Sequence, residues 1–157
     1  NVCRCCGQAR GFIYRGPVYA AQELDDALCP WCIADGSAAS KFDATFVDEE
    51  GLSTDATDAV HGEVCLRTPG YNSWQTEVWP MCCDDATAFL APVGLTELRR
   101  DFPEWETPLY NHLLYEKKIT PRAARNVMES LHLEAGPTAY LFGCLHCRRR
   151  HFHIDEP

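Results

Sequence analysis

Six of the chain's ten cysteines fall into three C-x-x-C pairs, Cys3/Cys6, Cys29/Cys32 and Cys144/Cys147. Two thiols at that spacing can face one ion or one another, so each pair admits a metal, a disulfide or a redox couple. In an oxidising compartment an even cysteine count favours a disulfide framework, whereas in a reducing one paired C-x-x-C motifs favour metal. With 46% hydrophobic and 24% charged residues over 157 positions, the chain can bury an ordinary core and needs no disulfide framework. Metal is the better reading.

The first two pairs read together as C-x2-C-x22-C-x2-C. Cys3-Arg4-Cys5-Cys6-Gly7 is a knuckle, with Gly7 allowing the tight turn and Cys5 the spare thiol. Phe12, Tyr14, Val18 and Tyr19 flank Gly16-Pro17, which predicts a short hairpin. Cys29-Pro30-Trp31-Cys32 opens a helix, with Pro30 suited to its first position. Knuckle, hairpin and a helix-borne second pair are the layout of a treble-clef zinc finger. The helix N-terminus favours thiolates there. It would equally activate Cys29/Cys32 as a thiol–disulfide pair, but no βαβ pattern surrounds the motif. A closed shell of Cys3, Cys6, Cys29 and Cys32 leaves no position for substrate, so this Zn2+ is expected to be structural.

Cys144/Cys147 needs two further ligands. Cys82 and Cys83 are the available thiols, and His146, His151 and His153 are alternatives in which one of the two cysteines pairs with a histidine. A second zinc with an open position could activate water, which is the enzymatic alternative. No HExxH, GxSxG, P-loop or GxGxxG occurs, so the chain is read as a non-enzyme with no catalytic residue.

Between the pairs, residues 43–58 read as an acidic loop and Ala59 to Leu66 as a helix. Tyr71, Trp74 and Trp79 read as packing aromatics. Short helices are expected over Ala86 to Leu90, behind an Asp cap, and from Gly94-Leu95 to before Pro103. Longer ones run from about Thr107 to Lys118 and from Pro121, capped by Thr120, to about Leu131. Thr138 to Phe142 and His151 to Ile154 read as strands with Cys144–Cys147 at their hairpin tip. The predicted fold is α+β: an N-terminal treble-clef-like zinc finger over residues 1–46, and a body over 47–157 packed on it. The body has a helical middle and closes with the C-terminal β-hairpin.

The net charge of −9 is confined to one segment. Between Ala20 and Val60 ten acids meet Lys41 alone, and outside it thirteen acids meet thirteen bases. Such a field repels nucleic acid, so Arg148-Arg149-Arg150 is read as an edge rather than a nucleic-acid contact. It favours a basic protein partner, with Asp43, Asp48, Glu49, Glu50, Asp55 and Asp58 as candidate contacts. No apolar run reaches the roughly 20 residues of a membrane span. No secretory pattern follows Asn1, so a cytoplasmic location is expected, and a chain beginning at Asn1 is expected to lack some leading residues.

CRCCG at Cys3–Gly7, YRGPVY at Tyr14–Tyr19, LCPWCIADGSAASKFDATF at Leu28–Phe46, RTPGYNSWQ at Arg67–Gln75, WPMCCDDATAFL at Trp79–Leu90 and YLFGCLHC at Tyr140–Cys147 resemble the CbrC family of bacterial three-CxxC proteins. The resemblance implies a link to tolerance of a nuclease-type colicin and carries over no catalytic residue. It makes an immunity factor, whose acidic face covers a cognate basic toxin, the expected role.

Overall fold

The computed structural model describes residues 1–157, which divide into two compact units, Asn1–Ser73 and Trp74–Pro157. The first unit begins with an irregular segment that leads to α1 (Pro30–Ala34) and α2 (Ser37–Phe42). Pro30 occupies the first turn of α1 as expected. The two helices are separate because Gly36 adopts a left-handed backbone (φ 79°) between them.

The hairpin expected around Gly16-Pro17 does not form, because each arm finds another partner. The Tyr14 N–H donates to Leu28 O at 2.8 Å, while Tyr19 bridges Thr45. The Tyr14 hydroxyl folds over Gly16 and donates to Pro17 O at 2.9 Å, where a Cβ on residue 16 would collide with it.

The acidic stretch contains one 3-10 turn, Glu49–Gly51, whose Glu50 N–H is capped by the Asp48 carboxylate at 3.0 Å. Then follows α3 (Asp58–Arg67), capped by Thr57. The boundary expected after residue 46 lies instead at 73/74. Residues 47–73 belong to the first unit because Phe46 N–H donates to Cys65 O at 2.8 Å, and the Arg67 guanidinium donates to Ala34 O at 2.9 Å. Leu28, Ile33, Ala38 and Phe46 form this unit's core together with Cys3, Cys29 and Cys32.

The second unit opens with a minimal hairpin, β1 (Met81–Cys82) and β2 (Asp85–Ala86). Cys83 (φ 56°) and Asp84 (φ 60°) form its turn, the double left-handed pattern of a type I′ connection. Residues 86–90, expected as a helix, instead lead into β3 (Ala88–Val93), an edge strand that tolerates Pro92 and carries an irregularity at Leu90. Five residues are too few to show a period, and the register shift hides the alternation that would reveal a strand.

The antiparallel order is β3-β4-β5, with β4 (Thr138–Gly143) central and β5 (Arg150–Asp155) returning from the Cys144–Cys147 tip. Five helical segments connect β3 to β4, one of them a 3-10 turn at Pro103–Trp105. The first is α4 (Leu95–Asp101), where the Glu97 carboxylate accepts from Gly94 N–H at 3.1 Å. Next, α5 (Glu106–Asn111) widens into a π turn over His112–Glu116. Then α6 (Pro121–Ser130) follows, with the Thr120 hydroxyl accepting from Ala123 N–H. Val93, Leu98, Leu109, Leu113, Ala124 and Leu141 form the core of this unit. Trp79 packs edge-on against Phe142 at 5.6 Å, and Trp74 donates to the Thr138 hydroxyl at 2.9 Å. Both serve packing. No helix is long and apolar enough to cross a membrane.

Candidate metal centres

Eight of the ten cysteines gather in two groups, and no disulfide links any of them. In the first, the Cys3, Cys6, Cys29 and Cys32 sulfurs lie within 4.8 Å of one another. The knuckle forms because Gly7 turns left-handed (φ 70°), which lets Gly7 N–H donate to Cys3 O at 2.8 Å and Cys3 N–H donate to Gln8 O at 2.9 Å. Cys29 caps α1 and Cys32 lies in its first turn. Sulfur separations are 3.9 Å for Cys3–Cys32 and 3.5 Å for Cys29–Cys32. A tetrahedron of thiolates around zinc has an edge of about 3.8 Å, so these four fit the ion without rearrangement. Cys5 stays outside the group, with its thiol 3.5 Å from the Ser37 hydroxyl.

Burial alone would raise the Cys3 thiol. The N–H groups of Cys6, Cys29 and Cys5 outweigh it and bring the thiol down to about 6, with Cys29 N–H 3.3 Å from the sulfur. Burial pushes Cys29 and Cys32 up. A nucleophilic C-x-x-C needs an accessible thiol of lowered pKa, and these two are 0% and 3% exposed with raised thiols. The pair is better suited to hold an ion than to attack a disulfide.

In the second group, Cys82, Cys83, Cys144 and Cys147 also lie within 4.8 Å of one another, so both neighbours join. Adjacent residues of a strand point to opposite faces, but the left-handed backbone at Cys83 breaks that alternation. Sulfur separations are 3.9 Å for Cys82–Cys83 and 3.6 Å for Cys82–Cys147, again near the tetrahedral edge. The second knuckle repeats the first: Arg148 takes the left-handed place of Gly7 (φ 60°), and Cys144 N–H donates to Arg149 O at 2.8 Å. The Cys147 and His146 N–H groups, 3.4 and 3.3 Å from the Cys144 sulfur, lower that thiol to about 6. The neighbouring Cys144 thiol pushes Cys82 up to about 12.

The histidines offered as alternative ligands are not in the group. His146 binds the Asp85 carboxylate at 2.8 Å and ties the knuckle to the β1–β2 hairpin. That contact raises His146 and lowers Asp85. His153 stacks on Tyr140 and lies 3.2 Å from Thr76 O, while His151 lies on β5. Four thiols leave no open position, so both groups could hold a structural ion such as zinc. Exposure separates them: Cys3, Cys29 and Cys32 are buried, whereas Cys83 and Cys147 are exposed.

The acidic residues remain on the surface of the first unit. Asp43, Glu49, Glu50, Asp55 and Asp58 are exposed, and Asp48 is half-buried at its turn.

The model of an uncharacterised protein family, UPF0167, matches residues 1–156. A UPF0167 protein of Pseudomonas aeruginosa is 39% identical over 165 residues, covering 99% of this chain and 86% of that protein. UPF0167 proteins of Mycobacterium bovis and Mycobacterium tuberculosis are each 44% identical over 146 residues, covering 92% of this chain and 77% of theirs. No solved structure matches.

Proposed function

The chain belongs to the UPF0167 family, and for it we propose a binding protein, stapled by two zinc ions, that engages a basic protein through its acidic first unit. The observation that carries this reading is where the charge lies. Of the ten acids between Glu23 and Asp58 every one but Asp48 is exposed, and Lys41 is the one base among them. Such a surface accelerates encounter with a positively charged partner and opposes nucleic acid.

The partner class is narrowed by the CbrC resemblance, which runs from CRCCG at Cys3 to YLFGCLHC at Cys147. A nuclease-type bacterial toxin presents a basic active-site face, and an acidic cover would both dock on it and block it. This makes the chain an immunity or tolerance factor acting in the cytoplasm.

The test is to reverse Glu49, Glu50 and Asp55 to lysine together, leaving Asp48 to cap its turn. Association with a basic nuclease toxin should slow and lose its salt dependence, and cells producing the variant should lose tolerance. Unchanged protection at equal protein level would sink the reading. Metal analysis belongs beside it, with two zinc ions per chain expected.

A further inference from the structure

The arginine run after the second knuckle lines a cleft that neither cysteine group uses. The cleft, of about 530 Å³, lies in the second unit where the end of α5 and its π turn meet the start of β5. Arg148, Arg149 and Arg150 are all exposed, and none makes an ion pair. The Arg150 guanidinium lies over the Trp105 ring, 5.1 Å from its centroid. The run is therefore a solvated edge and not a salt-bridged one.

Two histidines line the same cleft, and each has a buried Nε2 with no hydrogen-bond partner. The His112 side chain is 9% exposed and packs on Phe152 at 5.3 Å. Its Nδ1 lies 3.0 Å from the Glu116 carboxylate, which fixes the ring and leaves the Nε2 lone pair unused. Burial holds both His112 and His151 below the ordinary histidine value, so they are neutral near pH 7. Buried polar atoms are nearly always satisfied, so two neutral imidazoles with unpaired nitrogens mark the floor of this cleft as a polar, incompletely satisfied region. His112 also opens the π turn, closed by Lys117 N–H to His112 O at 3.0 Å, and such turns concentrate at functional sites.

Charge selects the ligand class. Three guanidiniums against the one carboxylate of Glu116 leave the cleft with a net charge of +2. A phosphomonoester carries about −1.5 to −2 near neutral pH, and guanidinium forks match its oxygens. A nucleic acid would also bring its further phosphates against a chain of net charge −9. Tyr115, 73% exposed at the same cleft, offers a ring to the organic part of the ligand.

We propose that this cleft binds a small phosphomonoester, Arg148 to Arg150 gripping the phosphate oxygens above the two buried imidazoles. Every residue of the site belongs to the second unit.

The test uses the full zinc-loaded chain. Histidine ring nitrogens are followed by NMR, and affinity by calorimetry, against inorganic phosphate, a nucleoside monophosphate and a short single-stranded oligonucleotide. Both small ligands should shift His112 and His151 and leave His61 and His132 in place. Arg149→Ala should weaken binding at least tenfold with zinc content unchanged. Arg148→Gly should do the same while easing a left-handed backbone, so loss of binding cannot be confused with unfolding. Tighter binding of the nucleotide than of phosphate supports a phosphomonoester as the ligand, and equal affinity for free phosphate overturns that assignment. Unmoved His112 and His151 resonances at millimolar ligand overturn the proposal. Tighter binding of the oligonucleotide than of the monophosphate overturns it too, assigning the cleft to nucleic acid.

Discussion

Replacing Arg148 by glycine should stabilise the protein although it deletes a long side chain. The two knuckles share one backbone: the residue after the second cysteine is left-handed in both, Gly7 at φ 70° and Arg148 at φ 60°. In both, the first cysteine's N–H reaches the carbonyl five residues on, at 2.9 Å in one and 2.8 Å in the other. A left-handed L-residue costs roughly 1–2 kcal/mol, and glycine gives back about 0.4–1 kcal/mol by loosening the unfolded chain. Arg148 is exposed and has no ion pair, so Arg148→Gly should gain about 0.5–1 kcal/mol. That corresponds to ~2–8 °C in Tm for a unit of this size. Gly7→Ala is the mirror experiment. Nothing lies within 4 Å of a Cβ there, so its cost is conformational alone and of similar size. Both are read by scanning calorimetry of protein with matched zinc content. A lower Tm for Arg148→Gly, or an unchanged one for Gly7→Ala, would refute the shared-knuckle reasoning.

Zinc should leave the second group first, because Cys83 and Cys147 are exposed while Cys3, Cys29 and Cys32 are buried. Chelator competition should be biphasic, with alkylation after the first phase confined to the second group and Cys5; alkylated Cys29 or Cys32 at that stage contradicts it. Stability should also fall as pH drops below about 6.5, the unfolded histidine value. Burial lowers His112, His151 and His153, so between the folded and unfolded values the unfolded chain binds more protons. His146, raised by Asp85, opposes this from a more exposed position. Glu116 raises His112 while Lys117 and His151 lower it, and His112→Gln should flatten the fall between about pH 7.5 and 6. An unchanged difference in urea midpoint would count against the assignment.

What was legible in the chain was local chemistry. Thr120-Pro121 caps α6, Pro30 begins α1, and the strands either side of Cys144–Cys147 need only a turn between them. What was hidden depended on distant partners. β3 pairs with β4 across the intervening chain of residues 94–137, and its register shift erases the period-two signal. The joint use of Cys82 and Cys83 required two left-handed residues in succession, Cys83 and Asp84, at positions where neither is glycine. Residues 47–73 join the first unit through backbone contacts such as Phe46 to Cys65, which no side-chain pattern encodes. The cleft behind Arg148–Arg150 was invisible for the same reason, since His112 and His151 lie far apart in sequence and meet through the packing of His112 on Phe152.

The two cysteine groups stand differently to the cores they accompany. Cys3, Cys29 and Cys32 are themselves core residues of the first unit, packed with Leu28, Ile33 and Phe46, so ion binding there is inseparable from folding. The second unit builds its core around Leu98, Leu109 and Leu141, without any cysteine of its group. An ion at Cys82, Cys83, Cys144 and Cys147 would therefore be spent on geometry. It would tie the β1–β2 hairpin to the β4–β5 tip and hold the left-handed turn at Arg148, from which the three arginines enter their cleft. Removing the first ion should unfold its unit, whereas removing the second should leave a folded unit with a disordered arginine wall.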